Sequence, residues 1–191
     1  MNICVYGAAS NDINEKYITD GELLGRLIAE HGHTLIFGGG AGGLMGAAAR
    51  GAKSAVGKVV GIAPTFFNAD GHFFPNCDEF IPTETMRERK SILESLSDGF
   101  VITPGGIGTM DEFFEIFTLR TLGRHAKPIA VLNTDGCYNE LKNLLCGFFE
   151  NGFMTNAALS VVRFFENASD VLEYLETADK KVLNVEDMKN V

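Results

Sequence analysis

Short apolar runs alternate along the chain with longer segments whose apolar positions recur at helical spacing. The runs at 2–7, 34–37, 59–63, 80–82, 99–103, 128–133 and 161–165 predict strands. The segments at 14–31, from the glycines near 42 to about 56, and at 85–96, 109–122, 138–150 and 168–175 predict helices. In the first helix Leu23, Leu24, Leu27 and Ile28 mark the buried stripe. Residues 65–77, with the pairs Phe66-Phe67 and Phe73-Phe74, read as a loop. This βα alternation predicts one Rossmann-like, doubly wound α/β domain over residues 1–176 with a mainly parallel sheet. Its ligand site belongs at the carboxyl ends of the strands. Residues 177–191 form a polar tail, read as a docking arm or a frayed end.

A chain of 191 residues fits one domain, and 46% hydrophobic with 21% charged residues excludes a disordered chain. The net charge of −9 argues against a nucleic-acid polymer or an anionic membrane as partner. It leaves open a small phosphate ligand held by backbone amides. No run reaches the roughly 18 apolar residues of a membrane span. The segment Met1–Gly7 has no basic leader ahead of an apolar stretch, so a cytoplasmic protein with reduced thiols at Cys4, Cys77, Cys137 and Cys146 is expected. The cysteines lack CxxC spacing and the histidines lack HExxH, so no metal is expected.

Glycine is the compositional outlier at 22 residues, clustered rather than repeated. Gly38-x-Gly40-x-x-Gly43 matches a dinucleotide fingerprint in form. It follows the second strand instead of the first, and Lys58 stands where the ribose-binding acid belongs. Gly38, Gly39, Gly40 and Gly43 remain candidates for a phosphate loop, against the alternative that Gly42, Gly43 and Gly46 serve close packing. The second cluster, Pro104-Gly105-Gly106-Ile107-Gly108-Thr109, ends a strand and opens a helix. Thr109-Met110-Asp111-Glu112 reads as a capping box with Thr109 as N-cap and Glu112 at N3, and two first-turn acids suit the helix dipole. A capping box does not require three glycines before it, so these also suggest close approach to the backbone. Asp111, Glu112, Glu115 and Thr118 share one arc of the helix, either a solvated face or a cleft wall.

In the helix before it, Ile92, Leu93 and Leu96 form an apolar stripe, and Arg89 falls in its middle, at about 300° from Met86. A buried Arg there needs a carboxylate partner or a phosphate. Arg87 points away, and Lys90–Glu94 is a possible i,i+4 pair.

Gly38-Gly39-Gly40, Gly43-Leu44-Met45-Gly46, Met86-Arg87-Glu88-Arg89-Lys90 and Pro104-Gly105-Gly106-Ile107-Gly108-Thr109-Met110-Asp111-Glu112, in that order, resemble the LOG ("lonely guy") family. These are the cytokinin riboside 5′-monophosphate phosphoribohydrolases, often labelled lysine decarboxylase-like. The resemblance implies a Rossmann-like homodimer without cofactor that cleaves a nucleoside 5′-monophosphate to free base and ribose 5-phosphate. It implies a catalytic pair at Arg89 and Glu112. It implies substrate contacts at Lys90, Gly106, Ile107, Gly108, Thr109, Met110, Asp111 and Thr118. Arg87 departs from the His of the plant motif, and residues 65–83 depart from the plant pattern around the base.

The residue types suit that chemistry. A carboxylate stabilises an oxocarbenium-like sugar or activates water, while an Arg orients it, binds phosphate or polarises the leaving base. Two other readings use the same fold. A non-catalytic nucleotide or molybdenum-cofactor carrier would keep the glycines but need no acid at position 112. A literal decarboxylase would need pyridoxal phosphate on a lysine, and nothing in the sequence marks Lys53, Lys58 or Lys90 for that role.

Overall fold

A computed structural model describes residues 1–70, 73–184 and 187. Among the described residues seven parallel strands form one sheet: β1 (Asn2–Tyr6), β2 (Thr34–Phe37), β3 (Val59–Pro64), β4 (Glu79–Thr83), β5 (Gly99–Ile102), β6 (Ile129–Leu132) and β7 (Val162–Phe165). Their spatial order is β4-β3-β2-β1-β5-β6-β7. Order therefore reverses between β1 and β5, where Val5 pairs with Val101.

Successive strand residues point to opposite faces, and both faces are buried. Ile3, Val5, Leu35, Phe37 and Val101 pack under α1 (Glu15–Glu30), α2 (Gly43–Ser54) and α7 (Ala168–Thr177). Cys4, Tyr6, Ile36, Phe100 and Ile102 pack under α3 (Met86–Leu96), α4 (Ile107–Thr121) and α5 (Asn139–Glu150). This is the doubly wound arrangement that the apolar pattern predicts. A short α6 (Asn156–Leu159) precedes β7. Among the described residues no helix is long and apolar enough to cross a membrane.

Helices α1 and α2 approach at backbone distance. A Cβ on Gly25 would lie 1.9 Å from the Ala48 carbonyl oxygen, and one on Gly51 would lie 1.9 Å from that of Glu22. Part of the glycine excess is therefore packing. The crossover helix α3 starts at Thr85, whose side chain accepts from the Glu88 amide at 3.1 Å while Glu88 accepts from the Glu84 amide at 2.8 Å. It carries the chain from edge strand β4 over β3, β2 and β1 to β5.

Two local expectations are corrected, and one left open is decided. Helix α4 begins two residues before Thr109, with Gly106 as an N-cap that supplies no side-chain bond. The first turn therefore holds no acid, and the capping box does not form. The 65–77 segment is not all loop: Thr65–Asp70 winds as a 3₁₀ helix, and Phe73 bridges to Gly40. The described part of the tail docks: Arg120 Nη1 donates to the Lys181 carbonyl at 2.7 Å, and Leu183 packs on the α3–α5 side of the core.

Beyond α4 the buried His125 fixes the turn into β6. Its Nε2 donates to the Ile116 carbonyl at 3.1 Å and its Nδ1 accepts from the Lys127 amide at 3.2 Å. A proton on Nδ1 would face a donor, and burial lowers the pKa from 6.5 to about 4. The unfolded chain therefore binds more protons between those values, so stability present above pH 6.5 is lost as pH falls towards 4. The loss should total at most about 3 kcal/mol. Urea titrations of wild type and His125→Phe across this range should differ in slope. Equal slopes would remove His125 as the cause.

Candidate functional site

At the β1/β5 reversal the loops after β1, β2 and β5 enclose a cavity of about 880 Å³. Open α/β sheets bind ligands at such a reversal. Gly7–Asn11 form one wall, Gly38 and Gly40 a second, and the start of α4 a third. The seam beneath is tied by Thr103 Oγ1 donating to the Tyr6 carbonyl at 2.9 Å and Tyr138 Oη donating to the Thr103 carbonyl at 2.8 Å.

Arg89 and Glu112 meet at this cavity. Arg89 Nη1 donates to Glu112 Oε1 at 2.6 Å, with both side chains under 10% exposed. Arg89 Nε donates to the Ile62 carbonyl at 3.3 Å. A Cβ on Gly38 would lie 2.2 Å from Arg89 Nη2, so glycine there makes room for the guanidinium. The apolar stripe on α3 is thus narrower than its sequence suggests: Arg89 and Leu93 are buried, while Leu96 is exposed. Burial raises the Glu112 carboxyl above its ordinary range even though the charge of Arg89 pulls it down. Among the described residues nothing donates to Glu112 Oε2. One oxygen is anchored and the other is left for chemistry.

The acidic arc of α4 is a cleft wall and a clamp. Lys90 Nζ donates to Asp111 Oδ2 at 3.0 Å and stands 2.6 Å from Glu115 Oε2. It does not pair with Glu94 as its i,i+4 spacing suggests. Asp111 lines the cavity, whereas Lys90 braces α3 to α4 behind it.

The glycine clusters divide the work. At α2 the Gly43 amide donates to Asn11 Oδ1 at 2.9 Å, and the amides of Leu44 and Met45 donate to the Ala8 carbonyl at 2.9 and 3.3 Å. That helix start is already capped, and Gly43 at φ +57° packs on the β1 loop. Gly39, at φ +76°, packs against Phe80. Of the four phosphate-loop candidates Gly38 and Gly40 line the cavity, as does Gly42, whereas Gly39 and Gly43 do not. At α4, among the described residues, nothing accepts from the amides of Ile107, Gly108 and Thr109. A Cβ on Gly106 or Gly108 would meet open space, so packing does not explain glycine there. Unbonded amides at a helix start favour an anion.

Other expected site residues lie elsewhere. The Met110 side chain packs on the core under α4. The Ile107 side chain is 87% exposed and outside the cavity lining. Thr118 is exposed six residues past Glu112, about 9 Å along the helix, and does not line the cavity. Sequence reasoning missed Ala8–Asn11, Met45 and Met86, which line it, whereas Phe67 and Phe73, which also line it, fall in the 65–83 segment that the resemblance places around the base. The Gly7 after β1 was the available signal for the first of these. The apolar four come from separated segments with no shared motif.

The lysines do not fit a Schiff base. Lys53 donates to both oxygens of Asp78 at 2.9 and 3.0 Å, and Lys58 stands 3.6 Å from Glu79. The hydrogen bond to Glu115 raises the pKa of Lys90, opposite to what an amine nucleophile requires.

A family model described as possible lysine decarboxylase matches residues 45–175. A Mycobacterium tuberculosis protein named cytokinin riboside 5′-monophosphate phosphoribohydrolase is 37% identical over 170 residues, 89% of this chain and 90% of that one. An Arabidopsis thaliana protein named for the same activity is 31% identical, covering 91% and 82%. A solved structure of the molybdenum cofactor binding protein from Rippkaea orientalis superposes with a TM-score of 0.72 at 23% identity, over 92% of this chain and 95% of that one. At that identity the likeness shows the fold alone.

Removing one partner of the buried pair exposes its electrostatics. Arg89→Leu should cost about 3–5 kcal/mol at pH 7, because Glu112 loses its counter-charge. The folded-state pKa of Glu112 then stands further above the unfolded one. That group favours folding at low pH and loses its contribution as pH rises, so the deficit should narrow on acidification. The double variant Arg89→Leu/Glu112→Leu should recover most of the stability. Urea unfolding at pH 5 and pH 8 checks this, and an equal deficit at both would overturn it.

Proposed function

The chain belongs to the LOG family, whose family model carries the description possible lysine decarboxylase, and from that premise we propose that it hydrolyses the N-glycosidic bond of a purine nucleoside 5′-monophosphate. The observation that carries the reading is the buried Arg89–Glu112 pair beside the unbonded α4 amides. The relatives' names support an adenine carrying an N6 substituent as the base, with AMP as the plain form of the same substrate.

In this reading the 5′-phosphate sits on the amides of Ile107, Gly108 and Thr109, at the positive end of α4. The base rests on Met45, Phe67, Phe73 and Met86, and the sugar lies over Glu112. The C1′–N9 bond breaks with its electron pair leaving on the base. Positive charge develops at C1′ facing the Glu112 carboxylate. Water adds its oxygen to C1′, and its proton passes through Glu112 Oε2 to the departing base. The raised pKa of Glu112 suits a group that takes up and returns a proton. The guanidinium of Arg89 holds Oε1, so it positions the carboxylate rather than donating a proton. Products are free base and ribose 5-phosphate.

A carrier role would not need a desolvated carboxylate beside the ligand, and the likeness to molybdenum cofactor binding proteins extends to the fold alone.

The enzyme works as a homodimer in this proposal. Phe113 and Phe117 of α4 are buried in the protomer core and are not available for an interface. Ile107 of α4 and Leu122 just after it, with Leu144 and Phe149 of α5, are exposed and offer apolar surface on one side of the sheet. Sedimentation at micromolar concentration should give a species of about twice 20.7 kDa, and a species at 20.7 kDa alone would overturn the dimer.

Base release from AMP should greatly exceed that from adenosine, since each charge-assisted bond to phosphate contributes about 1.5–3 kcal/mol. Equal rates would overturn the phosphate assignment. Glu112→Gln should lower turnover by roughly two to four orders of magnitude while nucleotide still binds. Arg89→Ala should abolish turnover, and Arg87→Ala, exposed on α3, should stay within a few-fold. A folded Glu112→Gln protein with near wild-type turnover would end the enzymatic reading.

A further inference from the structure

At the opposite end of the sheet, by the amino ends of the strands, three metal-ligating side chains converge. His31 caps the end of α1, His33 precedes β2, and Glu176 lies in the last turn of α7. His31 Nδ1 lies 2.9 Å and His33 Nε2 2.8 Å from the same oxygen, Glu176 Oε1. The three ligand atoms all lie within 4.8 Å of one another.

We propose that His31, His33 and Glu176 form a binding site for a divalent transition metal of the Zn²⁺ class that staples α7 to α1. Two imidazoles and a carboxylate suit such an ion. Ligands at about 2.0–2.2 Å in a tetrahedral shell stand about 3.4 Å apart, so a small opening of the cluster admits the metal. Gly32, at φ +73°, reverses the chain so that His31 and His33 face one point. His33 Nε2 is the atom directed at Glu176, and its Nδ1 stands 3.2 Å from the Met1 amine, which can accept the Nδ1 proton of a metal-bound ring only in its unprotonated form. Neither α1 nor α7 has a basic residue in its last turn, and the negative ends of both helices favour a cation there. Solvent reaches the cluster, with His31 44% and Glu176 33% exposed, giving the ion an entry path and room for a water as fourth ligand. This site is remote from the cavity and independent of the proposed reaction.

The test uses the full chain with no N-terminal tag, stripped by chelator and titrated with ZnCl₂ in a calorimeter. One Zn²⁺ per chain should bind, and melting temperature should rise by about 5–10 °C at a free concentration 100 times Kd. His31→Ala, His33→Ala and the nearly isosteric Glu176→Gln should each weaken binding at least about tenfold. Cys137→Ser, which removes an exposed thiol, and Glu30→Gln, which removes a nearby carboxylate, should bind as wild type. Circular dichroism of the metal-free variants checks that they fold. Absence of saturable binding would overturn the proposal, as would saturable binding that all three ligand variants retain.

Discussion

The buried ion pair between Arg89 and Glu112 constrains most of what surrounds it. Two charges withdrawn from water cost several kcal/mol each unless geometry returns it, so every element that holds them must stay in place. Glycine at 38 leaves space for the guanidinium, and the Ile62 carbonyl takes its Nε. Lys90, one position along α3, clamps Asp111 and Glu115 on α4 and keeps the two helices in register. The pair is poor as a stabilising device compared with an apolar contact of equal volume. It is well suited to holding a carboxylate ionisable and oriented beside a cavity.

Two helix starts flank that cavity, and they differ in what their amides do. The start of α2 is closed by Asn11 and by the Ala8 carbonyl, so its glycines fit the loop after β1 against the helix. The start of α4 has no such partners among the described residues and no side-chain cap. Similar glycine-rich sequences thus produce one mechanical joint and one polar surface.

Fold class was legible in the sequence because each strand is a short apolar run and each helix carries a periodic stripe. The edges of elements were not. Thr109 resembles an N-cap because Glu112 stands three residues on, yet the helix begins earlier and directs Glu112 inward, where Arg89 outcompetes a cap. Lys90 faces Glu94 on its own helix but finds stronger partners on α4, an interaction between elements that spacing within one helix cannot show. Arg89 was legible as a site residue because a charge in an apolar stripe needs a reason. The cluster of His31, His33 and Glu176 was not, since Glu176 lies more than 140 positions from the two histidines. The segment holding Phe67 and Phe73 was placed around the base by resemblance alone, because these side chains reach the cavity through a 3₁₀ turn and a single bridge to Gly40 that no spacing shows.

The strand order has a kinetic meaning. Every strand pairs with its neighbour in sequence except at the seam, where β1 meets β5 and Tyr6 lies 97 positions from its partner Thr103. Closing a loop of that length costs about 4 kcal/mol of chain entropy beyond the constant for any loop. The first four strands can zip locally as they emerge, whereas the seam waits for the crossover helix and the strand after it. Arg89 belongs to the crossover and Glu112 to the helix beyond the seam, so a nascent chain that stops short of α4 holds the cation with no carboxylate to meet it. The reactive geometry is therefore a late product of folding, assembled only when the two halves of the sheet join.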